Sequence, residues 1–386
     1  MSRLVLVGAT ISSNHRLGGV AWHFLSWALG LRRLGFDVVL VDQLDRVRCV
    51  NPAGTPAGYE GCLNLGWCHS VTEQFSLSNH VAVLGAGGES LLGLSYEEVL
   101  ELAGQAEMLV NIAGSVRLPA LKQRVARRVM VDLDPGITQL WLAAGRAAPR
   151  IEGHDVFFTL GQNVGKPACT LPTGGVRWIP TWPPVLLDEW PVVDGGDRDL
   201  LTTVTSWRPR GPHGTVEELG FAFPHKADEL LELADLPQQI PQAIEMVVRP
   251  VVGEAEIMSL ARRGWIISNP EVVATPDAYR SFIQRSGGEL SPARGMYTAT
   301  QSGWWSERTG NYLASGRPAI VQDTGLGGHL PLGTGLLTFS TRDEAVQAAR
   351  RISEDYEQHS RAARAIAEEY LDSDRVLSRF VEQALQ

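Results

Sequence analysis

The stretch from Tyr297 to Gly328, YTATQSGWWSERTGNYLASGRPAIVQDTGLGG, decides how the rest of the chain is read. It runs as an irregular segment ending at Ser302-Gly303, then a helix, a tight turn, a strand and a second glycine-rich loop. Ser306 has an N-cap side chain and stands ahead of the apolar positions Tyr312 and Leu313. Gly316 falls where a helix end needs positive φ. Pro318 suits the start of the strand AIVQ, and Asp323, Thr324 and Gly325 turn that strand into a loop. A helix N-terminus has unpaired N–H groups and the positive end of a dipole, so it can hold a phosphate. Its first turn here adds Ser306, Arg308 and Thr309, two hydroxyls and a guanidinium. The same letters also describe an ordinary capped helix with a solvent-facing arginine.

Outward from this stretch, 386 residues suit two domains of ordinary size. A hydrophobic content of 44% with 20% charged residues is that of a soluble globular chain. The net charge of −9 argues against nucleic acid as the main partner, because such binders carry a basic stripe. Cys49, Cys62, Cys68 and Cys169 form no zinc pattern, and buried free thiols in a cytoplasmic protein are the simpler account. LVLVGA near the start is a strand and not a signal segment. No apolar run is long enough to span a membrane.

Strands and helices alternate along both halves. Leu4 to Val7 is a buried strand, TISSNHRLGG a polar loop, and the helix that follows ends at Gly35 before a strand from Asp37 to Val41. Gly18-Gly19 stands where backbone can approach a ligand closely, and it is not a dinucleotide fingerprint. GAGGES, after Val81 to Leu84, also fails that fingerprint, because position 90 is Ser. Asp132 and Asp134 end a strand where α/β sheets gather ligand chemistry, so they could bind a hydroxyl, act as a base or hold a cation. Equally, one could cap the next helix while the other faces solvent. DEWPVVDGGDRD, Asp188 to Asp199, is the best linker. The second half restarts with the strand LLTTVTS, and the chain closes in two or three amphipathic helices.

The order helix, A-x-G-x-P, strand, loop at 314–318 resembles the donor-binding segment of GT-B glycosyltransferases, and the likeness runs over nearly the whole chain. The resemblance implies an α/β protein of two doubly wound, Rossmann-like domains facing a central cleft, with a helical C-terminal tail. The expected domains are 1–190, on the acceptor side, and 196–386, which binds a nucleotide sugar and carries the closing helices. The last helix, near Val376 to Leu385, is expected to pack back on the first domain. The implied activity moves a sugar from a nucleotide-diphosphate donor to a small-molecule, natural-product or glycan acceptor. It needs no metal and no cofactor beyond the donor. By the same resemblance Gly18, Gly19, Arg208, Lys226, Ser306, Arg308 and Thr309 face the donor diphosphate, and Asp323, Thr324 and Gly325 border the sugar. His15 is the first candidate for the acceptor base and Asp134 the second. One departure matters. The retaining branch has a Glu five residues before the turn glycine, where this chain has Asn311, and the partner acidic position is Gly303. Inversion or retention stays open, as do a non-catalytic nucleotide-sugar-binding protein and an epimerase on the same fold.

Overall fold

The computed structural model describes residues 3–145, 151–208, 220–248 and 253–386. Arg210 lies outside the described residues, as does most of the loop between Arg208 and Phe223. The first half is built on eight strands: β1 (Arg3–Ala9), β2 (Phe36–Leu44), β3 (Val81–Gly85), β4 (Ser90–Gly93), β5 (Met108–Ile112), β6 (Arg128–Asp132), β7 (Val156–Thr159) and β8 (Trp178–Pro180). Their order is β4-β3-β2-β1-β5-β6-β7-β8, with only β4 antiparallel. Between them run α1 (Gly18–Arg33), α2 (Leu63–Gln74), α3 (Tyr96–Gln105), α4 (Pro119–Arg124) and α5 (Ile137–Ala143). With helices on both faces, central strands need apolar residues in unbroken runs, and every residue of β1 after Arg3 is buried.

The second half has a six-stranded parallel sheet in the order β11-β10-β9-β12-β13-β14. Its elements are β9 (Asp197–Thr205), α6 (Lys226–Glu232), β10 (Ala243–Val248), α7 (Glu254–Arg262), β11 (Ile266–Ser268), α8 (Pro276–Gln284), β12 (Ser286–Ser291), α9 (Gly295–Thr300), α10 (Glu307–Ala314), β13 (Ala319–Gln322) and β14 (Leu336–Phe339). Helices α11 (Arg342–Glu354), α12 (Tyr356–Ile366) and α13 (Ser373–Leu385) close the chain. Both sheets are doubly wound. The strand order reverses between β1 and β5 in one and between β9 and β12 in the other, and ligands bind outside the carboxyl ends at such points.

Strand β12, SGGELS, is the element that the sequence hides. It lacks β-branched residues, yet all six residues are buried between β9 and β13. Its glycines answer to close approach: a Cβ on Gly287 would stand 2.4 Å from the Arg198 carbonyl, and one on Gly288 2.6 Å from that of Pro318. Helix α9 likewise occupies part of the segment read as irregular.

The segment 188–199 crosses from one sheet to the other and is pinned along its length. Arg280 pairs with Glu189, Arg364 donates to the Trp190 carbonyl, and Arg317 donates to Val193 and Gly195. The chain then crosses back. After a bridge between Val185 and Asp372, α13 lies on α1, with the Phe380 ring 4.9 Å from Trp27 and 4.3 Å from Phe158. Among the described residues no helix is long and apolar enough to cross a membrane.

Candidate functional site

The carboxyl ends of β9 and β12 meet the first turn of α10. Ser306 occupies the N-cap position but its side chain makes no capping bond, so the hydroxyl leaves the helix's leading N–H groups to other partners. Gly316 takes φ of 69° at the far end, as the turn requires. Arg308 corrects the expectation of a guanidinium reaching toward phosphate. It points inward, donating from Nε to Glu289 at 2.6 Å, from a terminal nitrogen to the Val204 carbonyl at 2.5 Å, and from the other to Ser291 at 2.9 Å. Burial works against its charge and Glu289 outweighs burial, so the group stays cationic. Thr309 is buried too, its hydroxyl without a partner among the described residues. It lines a gap of about 10 Å³ with Ser306 and Thr324, room for one water at most. The reason is geometric: a helix advances about 100° per residue, so neighbouring residues of one turn cannot all face one ligand.

Lys226, the first residue of α6, is half-buried, and its ammonium has no hydrogen-bond or ion-pair partner among the described residues. Burial pushes its pKa down to about 7, and the charges of Arg308 and Arg294 add to the effect against Glu289 and Glu307. Arg208 is occupied elsewhere. Its guanidinium is engaged by Glu256 at 2.9 and 3.0 Å and by Asp228 at 2.7 Å, and Asp228 also accepts from the His225 amide that opens α6. Arg208 therefore holds the Lys226 helix in place, and its own charge is spent on two carboxylates.

From the first half come Asp134 and His23. The two aspartates after β6 separate in role. Asp132 is buried and accepts from Thr138, Gln139 and Thr159, while Asp134 stays half-exposed and accepts from the Tyr297 hydroxyl at 2.5 Å. Among the described residues no cluster of three or more His, Cys, Asp or Glu could hold a metal. His15 ends the short turn Ser12–Asn14 and is half-buried; that turn is anchored by Ser12 donating to Asp42, whose carboxyl burial pushes up to about 6. His23 on α1 is a histidine in electrostatic range of Asp134. It is buried, its Nε2 without a partner among the described residues, its pKa lowered by burial against the charges of Glu307 and Asp134. Glu307, the first residue of α10, has no polar partner among the described residues either.

Gly18 and Gly19 serve a close approach, but to protein. A Cβ on Gly18 would stand 2.2 Å from the Thr275 carbonyl, and one on Gly19 2.8 Å from the Tyr279 ring. Trp22, one turn on, donates to the Pro276 carbonyl, so the start of α1 is clamped on α8. The loop after β13 is stitched as well. Asp323 accepts from the Gly325 amide, Thr324 donates to the Trp304 carbonyl, and Asn163 of the first half donates to the Gly325 carbonyl at 2.8 Å. His329 closes the knot on Asn163 at 2.7 Å.

The whole architecture is similar to that of several solved structures. An alpha-glucosyltransferase in complex with UDP is similar with a TM-score of 0.60 at 12% identity over 100% of both chains. An alpha-glucosyltransferase solved with UDP and a 13-mer DNA containing an HMU base gives 0.59 at 12% identity, again over 100% of both chains. HepE of Anabaena in complex with UDP-glucose gives 0.57 at 10% identity over 98% of each. The chain has the GT-B fold. No family model matches it, and no curated protein sequence does. His23 and Glu307 are polar groups that sequence reading passes over: a histidine on an apolar helix face reads as core, and an acid in a first turn reads as a partner of the dipole.

Proposed function

We propose that this GT-B protein transfers a sugar from a nucleotide-diphosphate donor to a hydroxyl of a small-molecule or glycan acceptor, without a metal. The observation that carries the reading is Lys226: an ammonium with no partner among the described residues, set beside the uncapped first turn of α10 at the switch point of the second sheet. As the bond from the anomeric carbon to phosphate oxygen breaks, the leaving diphosphate gains negative charge. Lys226 and the leading amides of α10 stabilise that charge where it forms. Arg308 and Arg208 act one layer behind, holding α10 and α6. Asp134, oriented by Tyr297, takes the proton from the acceptor hydroxyl as its oxygen attacks. UDP in similar solved structures supports uridine diphosphate as the probe. A non-catalytic nucleotide-sugar-binding protein is the second reading, favoured by Asn311 where retaining enzymes have Glu.

Calorimetric titration with UDP tests the donor site. Lys226→Met is expected to weaken binding roughly 10- to 150-fold, the equivalent of about 1.5–3 kcal/mol for a hydrogen bond to a charged group. Equal affinities in the two proteins would remove Lys226 from the site. Release of UDP from UDP-glucose or another UDP-sugar in the presence of an acceptor separates transfer from mere binding.

A further inference from the structure

A cavity of about 550 Å³ lies between the two halves, walled by Leu140 and Leu171 from the first and by Phe221, Phe223, Ala299 and Thr300 from the second. Ligand pockets have this size. Three connections tie it to the proposed reaction centre. Leu140 stands on α5, the helix that begins just after Asp134. Tyr297, which donates to Asp134, packs in one apolar cluster with Leu140, Leu171 and Phe223. Phe223 leads through Pro224 and His225 into Lys226. The cavity thus shares an apolar cluster with Tyr297, the hydroxyl partner of Asp134; Asp134 is not among its described lining residues.

Its wall chemistry selects the acceptor. Among the described residues that line it none is charged and the polar side chains are threonines, of which Thr300 already donates to the Met296 carbonyl. A sugar acceptor would bury several hydroxyls against such walls without partners, and unpaired buried hydroxyls are penalised. Phe221 is 41% exposed although it lines the cavity, and its ring lies within 9° of parallel to that of Phe223 at 6.3 Å. The exposed face of an aromatic ring can stack with a further aromatic ring. We propose that the acceptor is a planar aromatic hydroxyl compound whose ring system fills this cavity and whose hydroxyl meets Asp134. This rests on the transferase reading.

The test uses the whole chain with three probes, 4-methylumbelliferone, maltotriose and UDP, each titrated into wild type, Phe221→Ser and Ala299→Glu. Both substituted positions are exposed, so the fold persists. The expected result is binding of 4-methylumbelliferone to wild type, at least tenfold weaker in both variants, no binding of maltotriose, and unchanged UDP affinity throughout. Binding of UDP with no binding of 4-methylumbelliferone, equal 4-methylumbelliferone affinities in all three proteins, or preference for maltotriose would each overturn the proposal. Loss of UDP binding alone, with the 4-methylumbelliferone pattern intact, would remove the transferase reading and leave the cavity as an aromatic-ligand site.

Discussion

Truncating Arg308 separates a structural role from a phosphate contact, because the two make opposite predictions. The guanidinium reaches Glu289 at 2.6 Å, the Val204 carbonyl at 2.5 Å and Ser291 at 2.9 Å, and the Glu289 side chain is 0% exposed. Arg308→Ala strands that carboxylate in a dry site, where breaking one partner of a buried pair costs about 3–5 kcal/mol. At roughly 2–4 °C per kcal/mol for a domain of this size, the melting temperature falls by roughly 6–20 °C. Removing both charges together, as Arg308→Met with Glu289→Leu, leaves no stranded ion and restores most of the loss. Differential scanning calorimetry of the three proteins measures this, with UDP titrated below each transition. The reasoning fails if Arg308→Ala melts within about 1 °C of wild type while UDP binding is lost. That pattern belongs to an exposed phosphate ligand, whose removal leaves stability within about 0.5 kcal/mol.

Burial first, then Arg308 and Arg294, bring Lys226 down to about 7, so it is an ammonium below that pH and a neutral amine above it. UDP affinity should therefore fall as pH rises from about 7 toward 9, and the Lys226→Met protein should lack that fall. A wild-type affinity that rises over this range contradicts the assignment. Gly18→Ala should destabilise by roughly 1–3 kcal/mol, since the added carbon meets the Thr275 carbonyl at 2.2 Å. Helix propensity alone predicts a gain of up to about 1 kcal/mol, so the sign of the change in a urea melt decides. Chelator should leave UDP affinity within about twofold, and a tenfold loss on adding EDTA would return Asp134 to consideration as a metal ligand.

The alternation of apolar runs with amphipathic segments made both doubly wound sheets legible, because strands covered on two faces must be continuously apolar. Strand β12 escaped that logic. Neighbouring backbones press so close that Gly287 and Gly288 are required, and glycine carries no strand signal. Missing β12 also hid Glu289, and with it the inward direction of Arg308. Residue identity placed a cation in the first turn of α10; only the partner across the sheet told which way it faces. Lys226 was legible as a cation opening a helix. Its lack of a partner was not, since that depends on Asp228 and Glu256 being claimed by Arg208.

The return of α13 to the first half bears on how the molecule is made. Phe380 fills the space between Trp27 and Phe158, and Arg127 donates to the Ala384 carbonyl. Domains generally complete themselves as they leave the ribosome, amino-terminal first. Here the earlier unit lacks a piece of its interior until residues 373–385 have been synthesised, after the whole of the second sheet. Until then Trp27 lacks its Phe380 contact, so the last helix can clasp the first half only after the second sheet has been synthesised.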